Sequence, residues 1–128
     1  MAERSTPTFP VVGLALANEQ FRDVIKTGTK LQVVLMSIPE GEEIGAEAHE
    51  GHDQVLVFVE GTGKAVLGGE ERVVKAGDLA FVASGTYHNF INIGTGPLKL
   101  YTLYGPPEHS AGTEHGTRAE AEADEHDH

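Results

Sequence analysis

The chain has 128 residues, a size that suits one domain with a hydrophobic core of its own. It has no cysteine, which excludes disulfides and thiolate metal sites, and its net charge of −11 argues against a nucleic-acid partner. No stretch approaches the about 20 apolar residues of a membrane helix, and the N-terminal region lacks the pattern of a signal peptide. We therefore expect a cytoplasmic protein without a membrane partner.

The elements predicted in chain order are almost all strands. Residues 1–18 are expected to be irregular because Pro7 and Pro10 interrupt them, and residues 18–28 favour a first strand over a helical turn. Further strands are predicted within 31–38, 53–61, 88–94 and 98–105, and two short ones between residues 63 and 85. Short strands at this spacing, separated by glycine-rich turns, predict an all-β sandwich or barrel over residues 19–110.

Residues 111–128 differ in composition from the rest of the chain. The stretch from Glu108 to His128 contains seven acidic residues and one base, Arg118, a balance of −6, together with four of the seven histidines. Residues 118–127 favour helix by composition but offer no apolar stripe to bury. We predict an acidic, mobile tail over 111–128, which leaves His49, His52 and His88 as the histidines of the body.

The candidate site begins in the sequence EIGAEAHEGHDQV, residues 43–55. Alternate residues of a strand point to the same side, so Glu47 and His49 are expected to face inward together. Gln54 begins the next predicted strand, His88 joins from far along the chain, and His52 is expected to point outward. A carboxylate and an imidazole inside an apolar barrel are costly unless they are paired or bind a ligand.

These residues resemble the two sequence motifs of the cupin superfamily. Aligned backwards from Gly61, the first motif places Glu47 and His49 at its two histidine positions and Gln54 at its glutamate position. The second motif matches Gly77, Gly85, His88 and Asn92 with every spacing kept, and Ala83 replaces its proline. The wider pattern resembles small single-domain bacterial cupins, and this resemblance implies a double-stranded β-helix, the cupin jelly-roll barrel, and a homodimer.

The resemblance also implies one divalent transition metal, held by Glu47, His49, Gln54 and His88. This set has one carboxylate, two imidazoles and an amide oxygen, and it suits Mn, Fe, Co, Ni, Cu or Zn without choosing among them. Four protein ligands would leave two positions of an octahedral ion for water or substrate. We predict a metal-dependent enzyme acting on a small polar molecule, either an oxygenase or an isomerase, with no catalytic residue assigned. The alternative is a non-catalytic module that binds a small ligand or a metal.

Overall fold

The computed structural model of the chain describes residues 3–48 and 50–126. These residues form two helices and nine strands: α1 (Val11–Ala17), β1 (Arg22–Thr27), β2 (Gln32–Ile38), β3 (Asp53–Glu60), β4 (Thr62–Leu67), β5 (Glu70–Lys75), β6 (Leu79–Val82), β7 (His88–Asn92), β8 (Leu98–Gly105), β9 (Glu114–His115) and α2 (Arg118–His126). Each predicted strand is present, and the region between residues 63 and 85 contributes three strands rather than two.

The strands form two antiparallel sheets that enclose the core. The larger sheet has the order β6-β3-β8-β2-β1-β9, and the smaller sheet has the order β5-β4-β7. Their inner faces meet through aromatic side chains, since the ring centroids of Phe58 on β3 and Phe90 on β7 lie 5.8 Å apart. The prediction of an all-β jelly-roll barrel is confirmed.

The period-two pattern of the strands explains which side chains fill this barrel. On β3, burial alternates so that Gln54, Leu56 and Phe58 are buried while the residues between them are partly exposed. On the central strand β8, Leu98 and Leu100 are fully buried. A polar residue at position 54 therefore shares the inner face with the apolar core.

The N-terminal region differs from the irregular segment expected for residues 1–18. Residues 11–17 form α1, which lies on the outer face of the larger sheet, where Ala15 is buried against Ile25 and Leu35. The proline at position 10 precedes the helix and does not interrupt it.

The C-terminal region also differs from the solvated tail expected for residues 111–128. Strand β9 pairs with β1, and Ala121 of α2 is 2% exposed and belongs to the main core cluster. Composition did not indicate this packing because the apolar contact of α2 with the core is made by one small residue, Ala121, and the helix has no apolar stripe. None of the helices in the described ranges is long and apolar enough to cross a membrane.

Candidate metal centre

A backbone bridge brings Glu47 against His88. The amide of Glu47 donates to the carbonyl of His88 at 3.0 Å, and the amide of His88 donates back at 2.8 Å. Glu43 makes a similar bridge with Ile91, so residues 43–47, which we call the bridging segment, run antiparallel along β7. Two residues that are 41 positions apart are thereby fixed side by side.

The side chains of this pair face each other in a mostly buried position. The Nε2 atom of His88 lies 3.7 Å from Oε1 of Glu47, and the two side chains are 5% and 28% exposed. That distance is longer than a good hydrogen bond. It does suit two atoms that share one ion, because ligands at about 2.1 Å from a metal are separated by about 3 to 4 Å.

The other ring nitrogen of His88 determines which atom is available to a ligand. Its Nδ1 lies 2.8 Å from the carbonyl oxygen of Thr86, which can only accept a hydrogen bond. In the neutral ring the proton is therefore on Nδ1, and the lone pair of Nε2 points towards Glu47. A backbone carbonyl often orients a metal-binding histidine in this way.

The electrostatic surroundings of His88 act in opposite directions. Burial lowers the pKa of the ring, while interaction with Glu47, the bond to Thr86 and the charges of Glu47 and Glu108 raise it. The net result is a pKa above the ordinary value of 6.5. Glu47 thus favours the protonated form of the His88 ring.

Gln54 faces the same interior from the opposite sheet. Its side-chain amide donates from Nε2 to the hydroxyl of Thr102 on β8 at 3.0 Å, and the residue is 8% exposed. The donor end of the amide is therefore engaged by β8, which leaves the oxygen end as the possible ligand atom.

The remaining predicted residues have different outcomes. His49 lies outside the described residues. Across 3–48 and 50–126, no group of three or more His, Cys, Asp or Glu side chains is arranged to hold a metal. His52 is partly exposed, with Nδ1 2.8 Å from the carbonyl of Pro106, and Asn92 is structural, since its amide donates to the carbonyls of Ile38 and Gly96.

The turn before β7 forms without the proline of the second motif. The amide of Thr86 donates to the carbonyl of Ala83 at 3.0 Å, and Gly85 between them has a φ of +83°. The glycine supplies the left-handed conformation of the turn, and the turn forms with alanine at the proline position of the motif.

Sequence reasoning missed a loop that follows β8. The fully buried amide group of Gln32 binds the backbone of residues 108 and 109, accepting from both amides and donating to the carbonyl of His109 at 2.7 Å. His109 then packs edge-on against Tyr104, with ring centroids 5.2 Å apart, and its Nε2 lies 3.8 Å from the carboxylate of Glu108. Both residues begin the acidic stretch from Glu108 to His128, and nothing in its composition indicates that a buried glutamine on β2 binds them.

A small polar cavity lies next to Glu47. It has a volume of about 120 Å³ and is bounded by the bridging segment on one side and α2 on the other. A larger cavity of about 380 Å³ lies elsewhere, between Phe21, Pro39, Pro97 and Lys99. Of these two cavities in the described part of the chain, the smaller one has Glu47 in its wall.

The chain is similar to three known proteins. A crystal structure of BH2720 from Bacillus halodurans superimposes with a TM-score of 0.94 at 37% identity, covering 96% of this chain and 99% of that one. YrkC of Bacillus subtilis (strain 168) is 43% identical over 84% of this chain, and an oxalate-binding protein of Thermotoga maritima is 33% identical over 53% of it.

The chain spans 61% of YrkC and 56% of the oxalate-binding protein, so it covers less than two thirds of either relative. The family model described as the cupin domain matches residues 34–104, which run from β2 to β8 and include Glu47, Gln54 and His88. The chain therefore belongs to the cupin family.

Proposed function

We propose that this chain is a metal-binding cupin and that the bound ion makes it an enzyme acting on a small polar molecule. The observation that carries the proposal is the separation of 3.7 Å between Nε2 of His88 and Oε1 of Glu47, with the other ring nitrogen fixed by a carbonyl. Gln54 would contribute its amide oxygen from the opposite sheet. His49 completes the set on the strength of the motif alone.

Some residues of the site would bind the ion, and others would orient these ligands. Glu47 would supply the one negative charge of the set, and the Thr86 carbonyl would hold the His88 ring in its ligating tautomer. Thr102 would orient Gln54 through the bond to its amide nitrogen. When bound, a divalent ion would polarise a carbonyl group or lower the pKa of a bound water. The choice between oxygenase and isomerase stays a prediction.

The metal site can be tested by titration of the metal-free protein with Mn²⁺, Co²⁺ and Zn²⁺. Mutation of an outer-shell partner typically costs about 10- to 100-fold in metal affinity, so Glu47→Gln or His88→Ala should cost at least that much. Glu43→Gln is the matched control, because Glu43 lies in the same bridging segment and pairs with Arg118 at 3.9 Å. Equal affinities in wild type and Glu47→Gln would contradict the proposal.

A non-catalytic binding module is the second candidate function. It is favoured by the relative from Thermotoga maritima, whose name describes oxalate binding and no reaction. Incubation of metal-loaded protein with ¹³C-labelled oxalate separates the two. A spectrum that changes only by reversible binding supports a module, and metal-dependent loss of oxalate supports an enzyme.

The outer face of the larger sheet supports the proposal of a homodimer. Phe81 and Leu79 on the edge strand β6 are 57% and 58% exposed. In register they lie opposite Val55 and Val57 of β3, whose other neighbours on β8 are also partly exposed and apolar: Leu103 and Tyr101. Two cross-strand rows of apolar side chains thus face outward, as expected for a surface that a second copy covers.

Cellular location and the remaining partners stay predictions. The net charge of −11 supports the absence of a nucleic-acid partner. A cytoplasmic location and the absence of a membrane partner rest on the sequence alone.

A further inference from the structure

The cavity beside Glu47 has two arginines in its wall. Its volume of about 120 Å³ corresponds to roughly four waters, enough for a carboxylate group and the few atoms next to it. Arg22 of β1 and Arg118 of α2 line it together with Glu47 and Glu122. Two arginines next to the proposed metal site are the groups that would bind an anion in this cavity.

One donor of Arg118 has no acceptor among the described residues. Its Nη2 atom lies 3.1 Å from the carboxylate of Glu122 and 3.9 Å from that of Glu43. Its Nε atom is buried, and within the described part of the chain it has no hydrogen-bond partner. A buried donor of this kind is costly unless something accepts its hydrogen. Because Arg118 lines the cavity, a bound anion could supply that acceptor.

The position of Arg118 depends on a glycine. A Cβ atom added to Gly45 would lie 3.1 Å from Nη2 and 3.6 Å from Nε of Arg118. Gly45 also has a φ of +117°, which disfavours any other residue there. The bridging segment therefore provides the space in which the guanidinium lies, a short distance along the chain from Glu47.

Arg22 is held in place by the C-terminal region. It is 4% exposed, and its Nη1 lies 3.4 Å from Nδ1 of His115, whose Nε2 lies 2.9 Å from the carboxylate of Asp124. Because a guanidinium only donates, Nδ1 of His115 accepts and Nε2 donates to Asp124. Asp124 and His115 thus act as positioning residues that fix a buried cation at the cavity.

The charges of the lining groups make anion binding in the cavity depend on the metal. Two arginines balance Glu47 and Glu122, so the cavity is neutral until a divalent ion binds to Glu47. We propose that the metal-bound protein uses this cavity to bind the carboxylate of a small organic acid, with Arg118 as the direct donor and Arg22 as the second cation. This inference rests on the proposed metal site, and it identifies small carboxylates as the class of ligand.

Calorimetric titration with oxalate tests the inference. Metal content is measured before and after each titration of wild type, Arg118→Gln, Arg118→Lys and the control Arg72→Gln. Arg72 is an exposed arginine on β5, so its replacement changes the net charge equally but far from the cavity. We expect Arg118→Gln to weaken oxalate binding by about 10- to 100-fold, as for loss of a charge-assisted hydrogen bond, with unchanged metal content.

The other variants make the test specific. Arg118→Lys keeps the charge but lacks Nε, and we expect an intermediate loss. Glu122→Gln removes the carboxylate that competes for Arg118, and oxalate binding should become stronger. Unchanged oxalate affinity in metal-loaded Arg118→Gln would overturn the carboxylate site and leave the metal site standing. A wild-type protein that binds no metal would refute the proposed function and this inference with it.

Discussion

Replacement of Gly61 by alanine tests why the first cupin motif ends in glycine. Gly61 joins β3 to β4 with a φ of +93°, which costs an L-residue about 1–2 kcal/mol. An added Cβ would also lie 2.6 Å from the carbonyl oxygen of Pro97 and 3.0 Å from the Cα of Leu98. Both are backbone atoms, so relief requires the chain to move, at a further cost of about 1–3 kcal/mol. We expect Gly61→Ala to lower the free energy of unfolding by about 2–5 kcal/mol.

Gly69 provides the matched control for this prediction. It has a φ of +97°, but a Cβ added there would lie more than 4 Å from every other described residue except its chain neighbours. Gly69→Ala should therefore cost only the about 1–2 kcal/mol of the left-handed conformation. Urea unfolding followed by circular dichroism measures both variants, provided that the slope with urea is unchanged. Equal losses in the two variants would refute the argument that the approach of Pro97 excludes a side chain at Gly61.

Three further predictions concern the site, the C-terminal helix and the sheet surface. The folded-state pKa of His88 is raised above 6.5, so in the metal-free protein its stabilising contribution should be complete below pH 6.5 and be lost as the pH rises through the folded pKa. In urea unfolding, the difference in the free energy of unfolding between wild type and His88→Gln should shrink with rising pH, whereas metal affinity should increase. A difference that grows with pH would contradict this prediction. Ala121→Glu buries a charge under α2 and should increase hydrogen exchange in that helix, while Ala119→Glu on the exposed face of the helix should not. Equal protection of α2 in the two variants would contradict its packing against the core. Phe81→Glu should convert a dimer to a monomer in light scattering, while Val73→Glu, at a position on β5 that is 65% exposed against 57% for Phe81, should not. A dimer that survives Phe81→Glu would exclude this face.

The strands could be predicted because short runs rich in β-branched and aromatic residues lie between turn residues. Residues 55–59 are a continuous apolar run, which indicated a strand but not the alternation in burial that the structure shows along β3. The inward position of Gln54 was indicated by its place in the first cupin motif, and the bridge between Glu47 and His88 agrees with the alignment of both residues to the cupin motifs.

The parts that escaped prediction depend on contacts distant in sequence. His115 is buried because it binds Arg22, 93 residues earlier, and Asp124. The loop containing His109 is held by Gln32, 77 residues earlier. Neither contact leaves a periodic signal, so composition predicted a mobile tail around His115 and grouped His109 with the same acidic stretch.

The metal content of protein purified without an affinity tag or added metal tests the central claim most directly. Elemental analysis of wild type, Glu47→Gln and His88→Ala uses one assay for all three proteins. The account predicts about one transition-metal ion per chain in wild type and a loss of most of it in both variants. Full metal content in His88→Ala would contradict the account, because the ion would then be held by other residues.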